Sequence, residues 1–216
     1  MPDMKDFKGH IFDLDGTLIR SNHVWTDVDV QFLGKRGFTV TEDYSKALST
    51  MNFDQAAMYT KERFALPDSV DEIKQEWFDL ALYQYTNVIE LFDGVYDYVT
   101  DLYNNGKKLA LATASSHLLY EPVLKRTGIY DCFCAFVSTE EVKRGKGFPD
   151  VYEKAAEKLR LEPCECIVYE DIVEGIRAAA GAGFHTAACA NGHYNEDEKI
   201  LAAAEFVFRK GSPTTD

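Results

Sequence analysis

Asp13 and Asp15 stand two residues apart at the end of an apolar run, His10-Ile11-Phe12-Asp13-Leu14-Asp15-Gly16-Thr17-Leu18. Gly16 breaks that run. Short apolar runs closed by glycine read as buried strands, and in open parallel α/β sheets ligands bind at the carboxyl ends of strands. Alternation along an extended chain sends both carboxylates to one side. Two carboxylates so close repel unless a cation lies between them or one is protonated. Hard cations such as Mg²⁺ take oxygen ligands. The stretch therefore predicts a metal-dependent carboxylate site. The plainer alternative is an acidic turn after an ordinary strand, because Asp and Gly are turn formers.

Three further features fall at predicted strand ends: Thr113-Ala114-Ser115, Lys146 within Arg144-Gly145-Lys146-Gly147, and Glu170-Asp171. In a parallel sheet these edges lie side by side, which gathers carboxylates, a hydroxyl and an amine around one point. That set suits phosphoryl transfer. Asp13 would attack phosphorus and form an aspartyl phosphate. Mg²⁺ would be held by Asp13, Asp171 and the backbone carbonyl of Asp15, with Glu170 direct or through water. Lys146 would hold Asp13 against the phosphate. Thr113 and the N–H groups of Ala114 and Ser115 would hold phosphoryl oxygens, with His117 beside them. Asp15 would pass a proton to the leaving oxygen and take one from water. Taken singly, each has a plainer reading: Lys146 a solvated lysine, Thr113 a strand-end cap, Glu170-Asp171 the cap of the next helix.

Alternating elements must position these residues. Strands are predicted at Lys108–Thr113, Ala135–Ser138, Cys166–Tyr169, His185–Cys189 and Phe206–Phe208, with helices between them. Pro149 opens the helix that runs through Lys158, and Gly183 closes the one that begins at Ile172. A helix ending at Gly128 is expected to kink or begin late because of Pro122. Such alternation implies a parallel sheet with right-handed crossovers. Residues 21–88 interrupt it just after the first strand. They read as all-helical: Val24, Val28 and Phe32 recur at i+4, a second helix runs from about Asn52 to Phe64, and Ser69 to Glu72 forms a capping box. Trp25, Met51, Phe53 and Trp77 read as core. The predicted organisation is thus a catalytic core of residues 1–20 and 89–216 with an inserted helical domain of 21–88. The tail from Gly211 reads as loose.

The 216 residues are 46% hydrophobic and 27% charged, ordinary for a globular protein, and no apolar run approaches a membrane span. The first residues lack a basic segment followed by an apolar one, which argues against a secretory signal. A net charge of −13 argues against nucleic acid or anionic membrane as partner. The five cysteines include two C-x-C pairs, Cys132/Cys134 and Cys164/Cys166. Their spacing is narrow for structural zinc, so they read as buried thiols of a reducing cytoplasm. A monomer or weak oligomer is expected.

Asp13-Leu14-Asp15-Gly16-Thr17 resembles the first motif of the haloacid dehalogenase superfamily, in particular its β-phosphoglucomutase-like branch. Thr113-Ala114-Ser115 is similar to the second motif, Lys146 to the third and Glu170-Asp171 to the fourth, whose helix Gly175 and Ala182-Gly183 continue. The resemblance spans about Lys8 to Phe208. It implies a Rossmann-like core, Mg²⁺ dependence and an inserted helical cap. Three departures stand out. Gly147-Phe148-Pro149-Asp150 replaces the usual Pro-x-Pro-Asp. In Leu48–Asp54, which resembles the substrate loop of the sugar-phosphate mutases, Phe53 occupies the place of an Arg that grips the distal phosphate. The mutase-like histidine spacing is also missing near Ser21 to Trp25, although His23 is nearby. The leading expectation is a Mg²⁺-dependent phosphatase acting on a small phosphorylated metabolite. A phosphomutase is the second, and a non-catalytic phosphate-accepting signalling module the third. The substrate, and the roles of Trp25, Asn52, Phe53, Lys61 and Arg63, are not legible.

Overall fold

The computed structural model describes residues 3–48, 51–190 and 194–208. Ser49 and Thr50 of the Leu48–Asp54 loop, and the tail from Gly211, lie outside them. The chain divides into two compact units, Met1–Ser21 with Ile89–Asp216, and Asn22–Val88. Among the described residues, no helix is long and apolar enough to cross a membrane.

The first unit is an α/β Rossmann-like layer structure. Strands β1 (Gly9–Phe12), β2 (Lys108–Thr113), β3 (Ala135–Ser138), β4 (Cys166–Glu170), β5 (His185–Cys189) and β6 (Phe206–Phe208) form one sheet in the order β3-β2-β1-β4-β5-β6. Every pairing is parallel. The chain winds from β1 outward to β3 and then crosses back to β4 on the other side of β1. That reversal puts the ends of β1 and β4 at the switch point, where a doubly wound sheet opens a crevice. β1 is buried along its whole length, as expected of a central parallel strand covered on both faces.

Helix α7 (Asp150–Leu159) covers one face. Val151, Tyr152, Ala155, Ala156 and Leu159 recur at helical spacing and pack on Ile11, Ala112, Val137 and Val168. On the other face aromatic side chains carry the packing. Phe12 stacks on Tyr169 at 4.2 Å between centroids, and Tyr98 of α5 (Val95–Asn104) meets Tyr169 edge-on at 5.9 Å. His10 is buried there. Its Nε2 lies 3.2 Å from the Phe7 carbonyl, which can only accept, so Nε2 carries the proton and Nδ1 accepts from the Tyr169 hydroxyl at 2.9 Å.

Burial pushes the His10 imidazole down to about 4, against the help of the Phe7 carbonyl. Between that value and the ordinary one near 6.5 the unfolded chain binds the extra proton, so stability rises with pH across this window and is lost as pH falls through it. The expected loss is roughly 3 kcal/mol. Thermal unfolding between pH 7 and pH 4 checks this against His10→Gln, in which the other titrations cancel. Parallel curves for the two proteins would contradict it.

The second unit holds α1 (Val24–Gly34), α2 (Glu42–Leu48), α3 (Phe53–Phe64) and α4 (Val70–Asn87). The expected Ser69/Glu72 capping box is present, and a second one forms at Asn52/Gln55. Phe32 and Trp77 meet edge-on at 5.6 Å in its core. Arg36 lies over the Phe32 ring and pairs with Asp68 and Glu76 at 2.8 Å each.

Several expectations are corrected. Helix α6 (His117–Arg126) begins five residues before Pro122 and runs through it. Two helices were missed, α2 and α9 (Tyr194–Ala203). α2 buries only Tyr44, too little apolar periodicity to read. Trp77 is core, but Trp25 and Phe53 are 46% and 39% exposed. Cys134 and Cys164 are exposed, unlike buried Cys132 and Cys166.

Candidate active site

The site grows from the turn after β1. The Asp13 N–H extends the ladder to the Tyr169 carbonyl at 3.0 Å, so Asp13 leaves the sheet directly beside the end of β4. The chain then folds tightly back. The N–H groups of Leu18 and Ile19 reach the Leu14 carbonyl at 2.9 and 3.1 Å, and the Gly16 N–H reaches Ile19 at 3.0 Å. Gly16 adopts φ +80°, a conformation open to glycine at little cost.

This turn parts the two carboxylates. Asp15 accepts from the hydroxyls of Ser21 and Ser115, each at 2.6 Å. Asp13 accepts instead from Lys146. Its strongest acidic neighbours are Glu170 and Asp171, ahead of Asp15. The repulsion that the sequence placed between Asp13 and Asp15 therefore acts chiefly between Asp13 and the end of β4.

Glu170 is fully buried and saturated with donors. Its Oε1 accepts from Lys146 Nζ at 2.6 Å and from the Tyr152 hydroxyl at 2.8 Å, and its Oε2 from the Asp171 N–H at 3.1 Å. Gly175, in α8 (Val173–Gly181), permits this approach. A Cβ at that position would stand 2.7 Å from Tyr152 Oη and 2.9 Å from Glu170 Cδ. Tyr152 and Ser21 were not singled out by the sequence. Tyr152 sits at core spacing in α7 and looks apolar by pattern. Only its hydroxyl reveals the role, and no sequence signal points to where that hydroxyl goes.

Electrostatically the cluster is tight. Burial raises the Asp13 carboxyl well above the usual range, opposed by Lys146 and reinforced by Glu170 and Asp171. Burial also works against the Lys146 ammonium, but Asp13 and Glu170 outweigh it and hold it above the ordinary lysine value. One cation thus faces three carboxylates, two of them buried and Asp171 half-buried, which leaves room for a second positive charge. Asp13, Glu170 and Asp171 each bring an oxygen within 4.8 Å of the others. An all-carboxylate donor set is hard, and it fits Mg²⁺ rather than a thiophilic ion. The Asp15 carboxylate is outside that set.

The second strand end differs in detail from the expected phosphate cradle. The Ser115 N–H donates to Thr113 Oγ1 at 3.0 Å, within the chain. Thr113 is fully buried, whereas Ala114 is exposed. His117 is exposed at the first turn of α6, and among the described residues no hydrogen bond ties it to Asp13 or Asp15. Lys143 is exposed, whereas the Lys146 side chain is 10% exposed and meets Asp13.

A family model for haloacid dehalogenase-like hydrolases matches residues 7–183. The bifunctional riboflavin kinase/FMN phosphatase of Arabidopsis thaliana is 33% identical over 80% of this chain, which spans 46% of that protein. The fructose-1-phosphate phosphatase YqaB of Escherichia coli strain K12 is 27% identical over 82% of this chain and 93% of its own length. Among solved structures, a candidate β-phosphoglucomutase from Thermotoga maritima superposes with a TM-score of 0.82. It is 22% identical and covers 95% of this chain and 96% of that one, a likeness of fold.

Proposed function

The chain belongs to the haloacid dehalogenase-like hydrolases, and from that membership we propose that it is a Mg²⁺-dependent phosphatase of small phosphomonoesters, sugar phosphates among them, working through an aspartyl phosphate on Asp13. The observation that carries this reading is the separation of the two aspartates: Asp13 among Lys146, Glu170 and Asp171, Asp15 between two serine hydroxyls.

Asp13 is the nucleophile. Lys146 holds one of its oxygens and so fixes the orientation of the carboxylate. Asp13, Glu170 and Asp171 would hold Mg²⁺, with the Asp15 carbonyl completing the set. Bound there, the ion supplies charge neutralisation for the incoming phosphate and the developing negative charge. Asp15, steered by Ser21 and Ser115, donates a proton to the leaving oxygen and later takes one from the attacking water. Thr113 and the Ala114 N–H hold phosphoryl oxygens.

Two relatives that share the sequence over four-fifths of this chain carry the word phosphatase in their names. A sugar phosphomutase is the second reading, since the chain shares its fold with a candidate β-phosphoglucomutase. Such an enzyme must grip a remote phosphate while a sugar hydroxyl attacks, and arginine suits that task. In the helical unit Arg36 is spent on Asp68 and Glu76, Arg63 on Asp43 and Tyr59, and Lys61 on the Asp68 carbonyl. Phe53 offers no charge. Water is therefore the favoured acceptor.

Phosphate release across a panel of phosphorylated metabolites, with Mg²⁺ and with EDTA, tests the reading. Activity should need the ion, and Asp171→Asn should raise the Mg²⁺ concentration for half activity. Full turnover in EDTA would remove the metal from the mechanism. With β-glucose 1-phosphate and a trace of glucose 1,6-bisphosphate, glucose 6-phosphate outpacing inorganic phosphate would decide for the mutase.

A further inference from the structure

Within the helical unit lies a cavity of about 380 Å³ lined by Trp25, Asp29, Leu48, Phe53, Ala56 and Trp77, among others. Its wall is aromatic. Phe53 sits between the two tryptophans, 5.8 Å from Trp25 at 68° and 5.7 Å from Trp77 at 60°. Trp25 and Phe53 keep large exposed surfaces beside it, which is uneconomic for rings with no further contact to make.

Thr26 and Ser45 add hydroxyls to this wall, and among the described residues Asp29 is its one carboxyl. Asp29 accepts a long hydrogen bond of 3.4 Å from Tyr44, whose hydroxyl is shared with Thr60 at 2.9 Å. Among the described residues no basic side chain pairs with Asp29, and Tyr44 is the one donor to it. Burial pushes its carboxyl up to about 6, and no cation offsets that. Elsewhere in the unit the acids Asp43, Asp54, Asp68 and Glu76 each have a cation. A half-buried carboxylate facing an aromatic cavity is a hydrogen-bond acceptor held in reserve. The volume exceeds what a small ammonium ion fills and admits a fused ring.

We propose that this cavity is a binding site for a flat, fused heteroaromatic ring that presents N–H donors to Asp29 and lays its face on Phe53, with the tryptophans at its edges. The ring belongs either to the organic part of the phosphomonoester or to a separate effector. The binding claim needs neither Mg²⁺ nor turnover, so it stands or falls apart from the phosphatase reading.

The chain has two tryptophans, Trp25 and Trp77, and both line the cavity. Intrinsic fluorescence of the full chain therefore reports its occupancy. The probe is 2-aminobenzimidazole at a pH above its own pKa, where it is uncharged, with benzoxazole as a bicycle of similar shape lacking N–H donors. The first should perturb the emission saturably, at a roughly millimolar Kd for so small a fragment. The second should bind at least about tenfold more weakly. Asp29→Asn should cost roughly tenfold for 2-aminobenzimidazole and little for benzoxazole. Phe53→Ala should weaken both by about tenfold. Phe53→Leu, which keeps the bulk, guards against a folding defect, and its circular dichroism should match the parent. Equal affinity for the two probes, or an unmoved Kd in both Asp29→Asn and Phe53→Ala, overturns the site. Competitive inhibition of p-nitrophenyl phosphate hydrolysis by 2-aminobenzimidazole assigns the ring to the substrate; non-competitive inhibition assigns it to an effector.

Discussion

Asp13→Asn should lose at least ~10³-fold in kcat, about 4 kcal/mol of barrier, with KM little changed. An amide cannot attack phosphorus and leave again as a carboxylate does, so the covalent route closes altogether. The fold should survive. The Asp13 N–H to the Tyr169 carbonyl is untouched by the change, and Lys146 keeps Glu170. Burial and the acidic neighbours already oppose charge on Asp13, so the melting temperature should hold or rise. Acid-quenched protein should also show phosphoryl label in the parent and none in the variant. Near-parental turnover by Asp13→Asn would end the aspartyl-phosphate mechanism.

Lys146→Ala should fail in two ways at once. It removes the cation between two buried carboxylates, Asp13 and Glu170. An uncompensated buried charge costs about 3–5 kcal/mol, which should appear as a lower melting temperature. Loss of charge screening at the phosphate should depress kcat by roughly 10²–10³-fold. Mg²⁺ should restore more stability to this variant than to the parent, because a metal ion can take over part of the missing charge. Lys146→Met, closer in shape, separates the packing loss from the loss of charge. If either variant keeps full activity, Lys146 has no part in the reaction.

Much of this architecture was legible beforehand because it is written locally. β1 and β4 are short apolar runs ended by acids, and both are central strands. Pro149 sits at the start of α7, Ser69 and Glu72 cap α4, and the insertion after β1 shows in the change from strand to helical spacing. The ordered strand-end residues are legible for the same reason: in a parallel sheet, sequence order and one shared edge suffice to collect them. Where local signals are weak, the element is not legible in the sequence. α2 buries a single residue, too little apolar periodicity for a helix to be read from it.

By itself, then, the sequence determined the α/β core, the helical insertion and the roster of carboxylates, hydroxyls and lysine at the strand ends. Only the tertiary structure decided who meets whom. Lys146 reaches Asp13 across 133 positions of chain, and Ser115 reaches Asp15 across 100. The turn at Gly16 sends the two neighbouring aspartates to different partners, although alternation alone would have kept them together. Tyr152 and Gly175 support Glu170 through a hydroxyl and a missing side chain, features that look like ordinary core until the elements are stacked. Trp25 and Phe53, core residues by pattern, line a cavity instead. Periodicity states which face of a helix is apolar, but whether another element covers that face depends on the packing of the whole unit.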